Sequence, residues 1–376
     1  MISHPLLYLF SLASIVTVFY LLESKTSLKV FKLIPIVVFI YATSMLLAAF
    51  GLFDVNAEIN SIYKQTKTNL LPAMLFLMLL QLDLKHFLKL GKSLLIAYVL
   101  AVVSIALGFI VVAILFDFTS PMSGAFGALA GSWLGGTANM IAVGSALNVT
   151  EEAFAYALVV DSVNYTLWVM LLLFLVPFAH KFNKFTKSSE NLNYLTDIAC
   201  ACNMGAKRYW LLILLALGIS FLTQYLSSRF VIINTTTSMV IFASILGVIG
   251  SFTKLRDLNG SSELSTSMLY LLIALIGSHA VIESFSGLAL YVLAGGCILF
   301  IHALIMLVGA KVFKLDLFSI AVASLANIGG IASAPILAAA YNKSLVSVGV
   351  LMAIIGYIIG TFGGFLVGNI LIGLSQ

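Results

Sequence analysis

Two short stretches hold polar and glycine residues that could bind a ligand within an otherwise apolar chain. The stretches are GSWLGGTANM at 131–140 and ASLANIGGIASAP at 323–335, and each contains a glycine pair, hydroxyl or small side chains and an asparagine. Glycine lets the backbone turn and lets another group approach it closely, while hydroxyl and amide groups can ligate a solute without carrying charge. Each stretch therefore predicts a helix break with the chemistry of a neutral binding site.

Helix breaks are costly within a membrane, because each freed N–H or C=O costs several kcal/mol unless protein, water or a ligand satisfies it. The N-termini of half-helices attract anions, and unwound carbonyl groups coordinate cations. We predict that the two breaks face each other near the middle of the membrane and bind a small solute. Close helix packing is the alternative role for small residues in membrane helices. The predicted solute-binding residues are Ser132, Gly135, Gly136, Thr137, Asn139, Asn327, Gly329, Gly330 and Ser333.

Asp161 is the acidic residue that lies deep inside an apolar segment, within AFAYALVVDSVNYTLWVMLL. Helical spacing places Asn164, Tyr165 and Trp168 on the same face of that helix. A carboxylate in hydrocarbon is costly, and such residues usually face the protein interior and serve a function. We predict that Asp161 carries the coupling ion, H+ or Na+, with Asn164 as a co-ligand. A structural residue that is only hydrogen-bonded is the alternative.

The elements that must position these residues are membrane helices. Hydrophobic residues make up 62% of the 376 residues and charged residues 9%, against about 25% charged in soluble domains. The mean hydropathy is +1.15, and runs of about 20 apolar residues are typical of membrane spans. We predict an all-α polytopic membrane protein. Its apolar segments are 6–22, 33–53, 69–84, 92–116, 121–147, 152–180, 207–228, 236–252, 267–283, 286–310, 317–341 and 344–374.

The order of these segments repeats in the second half of the chain. At a constant offset of 194 positions, Gly135 and Gly136 align with Gly329 and Gly330. Such self-similarity is typical of transporters that are built from structural repeats. The predicted boundaries are repeat 1 at 1–180 with a hairpin at 121–147, a cytoplasmic linker at 181–206, and repeat 2 at 207–376 with a hairpin at 317–341.

The positions of lysine and arginine predict how the repeats are oriented, since these residues accumulate in cytoplasmic loops. If all twelve segments cross the membrane, fewer than half of the 19 basic residues lie inside. If the two glycine-rich segments instead enter and leave on one side, all but Lys64, Lys67 and Arg229 lie inside. We therefore predict ten spans, two re-entrant hairpins and inverted repeats, in the cell (inner) membrane with both termini outside. Crossing, unwound helices at the two segments are the alternative.

Composition argues against several other functions. The net charge of +5 comes from short loops, so it reflects topology and indicates no nucleic-acid partner. Three cysteines predict neither a disulfide framework nor a metal site beyond transported Na+, and no cofactor is indicated. An intramembrane aspartyl protease would need a second buried aspartate, and a serine protease would need a histidine near its serine. We predict that the protein is not an enzyme, and a channel is a weaker alternative.

The paired segments GSWLGGTANMIAV and ASLANIGGIASAP, with the helix that bears Asp161 after the first, resemble the YjcL-type family of uncharacterised bacterial membrane proteins. That family is similar to cation:proton antiporters and bile-acid symporters, and its architecture looks like that of the glutamate:sodium and citrate:sodium symporters. The resemblance implies hairpins that bind substrate, a homodimer, and a transport domain that moves like an elevator. This sequence departs from these relatives in two features. The hairpin tips contain no arginine, and Asp161 has no acidic neighbour.

Taken together, these features predict a secondary active transporter. We predict that it moves a small organic solute across the lipid bilayer, coupled to H+ or Na+, by an elevator-type alternating-access mechanism. The principal alternative is a cation:proton antiporter that uses the same aspartate and carries no organic solute.

Overall fold

A computed structural model describes residues 1–25, 36–54, 56–82, 87, 90–188, 206–232, 234–258, 260–279, 287–342 and 345–375. Within these ranges the chain is almost entirely helical, apart from turns and an isolated bridge between Ile2 and Phe53. The helices are α1 (Pro5–Lys25), α2 (Ile36–Ala49), α3 (Ala57–Leu79), α4 (Lys92–Leu115), α5 (Ser120–Gly135), α6 (Thr137–Ala146), α7 (Glu151–Leu175), α8 (Ala179–Thr186), α9 (Ala206–Arg229), α10 (Thr235–Ser251), α11 (Ser261–His279), α12 (Leu288–Phe313), α13 (Leu317–Ile328), α14 (Gly330–Tyr341) and α15 (Val346–Leu374).

Seven of the described helices are long and apolar enough to cross a membrane, namely α1, α4, α7, α9, α11, α12 and α15. This confirms the prediction of an all-α polytopic membrane protein. Helices α2 and α10 are apolar but have 14 and 17 residues, fewer than the roughly 20 that cross hydrocarbon. Helix α3 begins with a polar half that includes Lys64 and Lys67. The total of ten spans stays a prediction.

The chain forms two compact units, each assembled from segments that are distant in sequence. Unit 1 contains residues 1–81, 150–162 and 203–286, and unit 2 contains residues 82–149, 163–202 and 287–376. Helix α7 belongs to unit 1 up to residue 162 and to unit 2 from residue 163. Each unit therefore draws on both predicted repeats, and neither repeat is a compact unit by itself.

In unit 1, α11 packs against α1, α2 and α3, and α3 also packs against α9 and α10. Two glycines permit close contacts between these helices. A Cβ atom at Gly277 would come within 2.7 Å of the Tyr41 carbonyl oxygen, and one at Gly247 within 2.7 Å of the Leu79 Cβ atom. A larger residue at either position would push the helices apart, at a cost of about 1–3 kcal/mol.

In unit 2, α5 and α15 pack through glycines spaced four residues apart on each helix. A Cβ atom at Gly364 would lie 2.5 Å from the Gly131 Cα atom, and one at Gly368 would lie 3.2 Å from the Gly127 Cα atom. Four-residue spacing places these glycines on one helix face, where they let two backbones touch. We call this contact the glycine ridge, and its members are Gly127, Gly131, Gly135, Gly356, Gly360, Gly364 and Gly368.

The chain reverses direction at both glycine pairs. A Cβ atom at Gly131 would lie 2.8 Å from Val143 Cγ2, although a continuous helix would separate positions 131 and 143 by about 18 Å. Helices α5 and α6 therefore lie side by side and antiparallel. In the second segment the rings of Phe318 and Tyr341 lie 5.3 Å apart, which gives α13 and α14 the same antiparallel arrangement. The first helical hairpin spans residues 120–146 and the second spans residues 317–341. Whether either of them is re-entrant in a membrane stays a prediction.

Candidate functional site

The turns of the two hairpins meet inside unit 2. Gly136 has φ +94° and Gly330 has φ +60°, a region of backbone conformation that favours glycine. A Cβ atom built on either residue would lie less than 4 Å from the Cα atom of the other, at 3.8 Å and 3.7 Å. The structure thus brings the two breaks face to face, and Gly136 and Gly330 form the point of contact.

At the first break, the side chain of Asn139 satisfies the carbonyl oxygen at the end of α5. Asn139 is buried, and its Nδ2 atom donates to the carbonyl oxygens of Gly135 at 2.8 Å and Gly356 at 3.3 Å. Its Oδ1 atom accepts a hydrogen bond from Thr361 Oγ1 at 2.7 Å. Asn139 therefore caps the break and joins α6 to α15, which gives this predicted site residue a structural role.

Gly135 also has a structural role. A Cβ atom at this position would overlap the Gly356 carbonyl oxygen and the Asn139 side chain. Gly135 is thus the last α5 member of the glycine ridge. Close packing against α15 accounts for a glycine at this position. Gly136 differs from Gly135 in what it contacts. A Cβ atom built at Gly136 would lie within 4 Å of the Gly330 Cα atom, across the turn of the other hairpin.

The second break contains buried polar atoms that have no hydrogen-bond partner among the described residues. Asn327 Nδ2 donates to the Ala323 carbonyl oxygen at 2.9 Å. Its Oδ1 atom and the Ser333 Oγ atom are buried and have no hydrogen-bond partner in the part of the chain that the structure describes. The Ser333 hydroxyl points at Gly329, where a Cβ atom would collide with it. Such orphaned groups are rare in folded proteins and call for an explanation.

Tyr98 is a third buried residue of this kind, and the sequence interpretation missed it. Its hydroxyl group has no partner among the described residues, although the side chain is 2% exposed. A Cβ atom built at Gly356 would lie 3.5 Å from this hydroxyl, 3.1 Å from the Gly135 Cα atom and 3.6 Å from the Ala326 carbonyl oxygen. The Tyr98 hydroxyl therefore lies near the point where α15 passes both hairpins. A tyrosine in the apolar run LLIAYVLAVV carries no sequence signal that separates it from an ordinary core residue.

The remaining predicted solute ligands lie beside the breaks. Ser132 is buried on α5, and its carbonyl oxygen accepts the Gly136 N–H at 2.5 Å. Thr137 begins α6 and is partly exposed. Gly329 is partly exposed as well, and Tyr165 Cε2 would lie 2.6 Å from a Cβ atom there.

The predicted ion-coupling residues belong to different units. Asp161 lies in unit 1 on α7 and is 9% exposed. Asn164 lies in unit 2, where its Nδ2 atom donates to the Val292 carbonyl oxygen at 3.2 Å and links α7 to α12. The structure confirms that Asp161 is buried, and it gives Asn164 an anchoring contact of its own.

His302 is a buried titratable residue whose partners fix its proton. The Ser104 hydroxyl donates to the Ala101 carbonyl oxygen at 2.9 Å, so it accepts from His302 Nδ1 at 2.6 Å, and Nδ1 carries a proton. His302 Nε2 lies 2.8 Å from Ser324 Oγ, which also accepts from Trp168 Nε1 at 2.9 Å. Both ring nitrogens therefore have partners, and His302 joins α12 to α4 and α13 as a structural residue.

Unit 1 holds a separate polar network around Glu151. Tyr63 donates its hydroxyl hydrogen to Glu151 Oε1 at 2.9 Å, and Lys67 Nζ lies 4.0 Å from the same oxygen. The ring of His279 stacks on Tyr63 with centroids 3.8 Å apart. The side chains of Lys67 and Glu151 are 25% and 37% exposed, so this ion pair contributes at most about 1 kcal/mol.

Comparison with known proteins agrees with this architecture. A family model described as "Protein of unknown function (DUF819)" matches residues 9–374. The chain belongs to the DUF819 family. It is also similar to a protein of Bacillus subtilis (strain 168) described as "Uncharacterized membrane protein YjcL", with 24% identity over 359 residues that cover 87% of each chain. The DUF819 match spans nearly the whole chain and therefore includes both hairpins.

Proposed function

We propose that this DUF819 protein is a secondary active transporter that binds a small organic solute where the two hairpin turns meet. The observation that carries the proposal is the contact of Gly136 with Gly330, since the second hairpin also holds two buried atoms, Asn327 Oδ1 and Ser333 Oγ, that have no hydrogen-bond partner among the described residues. A protein gains nothing in stability from orphaned polar atoms, since each costs about 1–3 kcal/mol. A bound solute would satisfy them, and transport rather than catalysis uses such a site of neutral groups within membrane helices.

The proposed carrier of the coupling ion, H+ or Na+, is Asp161. It is a carboxylate at 9% exposure in a helix that is long and apolar enough to span the membrane. An acid in that position is retained against its cost in hydrocarbon when it serves a function. Asn164 remains the proposed co-ligand.

The division into units supports structural repeats. At the offset of 194 positions, residues 1–81 of unit 1 correspond to 195–275, most of which also lies in unit 1, although residues 150–162 of unit 1 correspond to 344–356 in unit 2. We propose that the repeats are inverted and that the two hairpins move with the solute by an elevator-type mechanism. We further propose a homodimer within the cell membrane, with both termini outside.

A cation:proton antiporter is the alternative within transport. It would use Asp161 and needs no organic ligand at the hairpins. The unpartnered atoms of Asn327 and Ser333 favour solute transport, because an antiporter of that kind leaves them without a function.

The test uses purified protein in proteoliposomes. A metabolite panel is first screened for thermal stabilisation with and without Na+, and uptake of a radiolabelled hit is then measured with an imposed Na+ or proton gradient. We expect Asp161→Asn to abolish gradient-driven accumulation while solute binding persists. Glu152→Gln is the matched control, because it removes a carboxylate from the start of the same helix.

Three outcomes would contradict the proposal. Full coupled uptake by the Asp161→Asn variant would remove that residue from coupling. Gradient-dependent exchange of cations for protons, with no solute bound or moved, would establish the antiporter instead. Chemical conversion of a bound compound would establish an enzyme.

A further inference from the structure

The short helix α8 carries exposed lysines away from the solute site. Lys181 and Lys184 are exposed, and their spacing of three residues places them on one side of the helix. Lys187 is exposed as well and follows as the C-cap. None of the three forms an ion pair with the residues that the structure describes. Their ammonium groups are therefore available to an anionic partner.

Aromatic side chains lie along an adjacent side of the same segment. Phe178 and Phe185 are exposed, and Phe182 is partly exposed. Spacings of four and three residues bring these rings onto one side, and Lys181 Nζ lies 5.9 Å from the centroid of the Phe178 ring. A helix with aromatic rings on one side and lysines on another is typical of helices that lie in the interface between water and lipid.

Contacts within unit 2 hold α8 at the ends of two helices that are long enough to span a membrane. Helix α7 ends just before α8 begins, and α12 ends beside it. The Lys311 ammonium of α12 donates to the Phe185 carbonyl oxygen and lies 4.0 Å from the centroid of the Phe185 ring. Asn183 Oδ1 accepts the Leu317 N–H at 2.9 Å, which joins α8 to the first residue of α13. We therefore expect α8 to lie at the level where both spans leave the hydrocarbon.

The charge around α8 is positive. Residues 163–188 and 287–342 contain five lysines and a single acidic residue, Asp316. The Asp316 carboxylate is buried and accepts the N–H and the hydroxyl hydrogen of Ser319, at 2.9 Å and 2.7 Å. Membrane topology accounts for lysines in a cytoplasmic loop. It does not account for a helix that presents aromatic rings beside them.

We propose that α8 binds the headgroups of anionic phospholipids. The exposed lysines bind the phosphate groups, and the aromatic rings enter the boundary between headgroups and acyl chains. Because Asn183 and Lys311 fix α8 to α13 and α12, bound lipid also holds the start of the second hairpin at the membrane surface. This role is independent of the solute site. A lysine near an anionic surface contributes about 5-fold in affinity.

The experiment measures thermal unfolding of the purified full-length protein in a neutral detergent, with increasing amounts of phosphatidylglycerol or phosphatidylcholine. A lipid that binds the folded protein raises its unfolding midpoint. We expect phosphatidylglycerol to raise the midpoint more than phosphatidylcholine does, and an increase from about 50 to about 500 mM NaCl to reduce the difference. Inorganic phosphate should have no effect, because it has no acyl chains to meet the aromatic side of α8.

Matched double variants separate binding at α8 from an effect of net charge. Lys181→Gln with Lys184→Gln should weaken the binding of phosphatidylglycerol about 25-fold. Lys181→Arg with Lys184→Arg keeps both charges and should bind as the unmodified protein does. Lys64→Gln with Lys254→Gln is the control, because it removes two exposed lysines that lie outside α8, and it should keep the preference. The midpoint without added lipid shows whether each variant folds.

Four outcomes would overturn the proposal. Equal stabilisation by the two lipids would show that the headgroup charge is not recognised. An equal loss of preference in the control and in the glutamine variant at α8 would show an effect of net charge alone. A loss of binding in the arginine variant would show that the charge of these lysines does not bind the lipid. Stabilisation by inorganic phosphate as strong as that by phosphatidylglycerol would show a site for a soluble anion instead.

Discussion

The two hairpins share a sequence pattern but differ in how they satisfy their polar groups. Asn139 and Ser333 occupy equivalent positions, each three residues after the glycine with positive φ. Asn139 is long enough to reach the carbonyl groups of Gly135 and Gly356. Ser333 is shorter, and its hydroxyl remains without a partner among the described residues. The Asn139 side chain therefore satisfies the carbonyl groups at the first break, while the second break retains hydrogen-bonding groups that the described residues do not use.

Both hairpins pack against α15 through backbone atoms. The first hairpin does so along the glycine ridge, and a Cβ atom at Gly349 would lie 2.7 Å from the Ala334 carbonyl oxygen of the second hairpin. The second hairpin is also contacted by aromatic side chains of α7, since Trp168 Nε1 donates to Ser324 Oγ and Tyr165 lies beside Gly329. The two hairpins therefore differ in how their breaks satisfy polar groups, while both are held closely against α15.

The largest expected effect concerns the sides of the membrane that the two hairpins face. Single cysteines at positions 117 and 151 should react with an impermeant reagent from one side only, and cysteines at 314 and 342 only from the opposite side. The reason is that each hairpin reverses at its glycine pair and that the repeats are proposed to be inverted. Labelling of 117 and 151 from different sides would show crossing helices. The measurement compares the labelling of each cysteine in intact cells with its labelling in permeabilised cells.

The next largest effect compares the two buried asparagines. Asn139→Leu leaves the Gly135 carbonyl oxygen buried without its partner, and we expect it to lower the free energy of unfolding by about 2–3 kcal/mol. Asn327→Leu removes an already unpartnered oxygen, while Ala323 O remains in the hydrogen-bond pattern of α13, so we expect a change below about 1 kcal/mol. Denaturation in detergent measures both. Equal losses would show that the two breaks are equally closed.

Much of this architecture could be predicted from the sequence. The apolar segments, the positions of both breaks and the burial of Asp161 follow from composition and spacing, because hydrocarbon admits few alternatives to helices. The seven helices that are long and apolar enough to span a membrane lie in the predicted apolar segments, and helix breaks lie at both glycine pairs.

The roles of individual site residues could not be predicted in the same way. Gly135 and Gly136 are neighbours of one type, yet one packs against Gly356 and the other forms the turn. The difference depends on α15, which approaches from more than 200 positions away in sequence. The four-residue glycine spacing of α15 was a usable signal for this contact. Tyr98 had no such signal, because only the structure shows that its buried hydroxyl group has no hydrogen-bond partner among the described residues.

The most direct test of the account is the accessibility of position 333 to water-borne reagents. In a protein whose Cys200, Cys202 and Cys297 are replaced by alanine, Ser333→Cys and Ser123→Cys each introduce one thiol at a buried position on a hairpin. The rate of modification by a small methanethiosulfonate is followed by mass spectrometry in membrane vesicles. We expect the Ser333→Cys variant to react and a stabilising solute to slow the reaction, while the Ser123→Cys variant stays unmodified. Equal rates at the two positions, or a rate at 333 that no solute changes, would contradict a solute site at the second break.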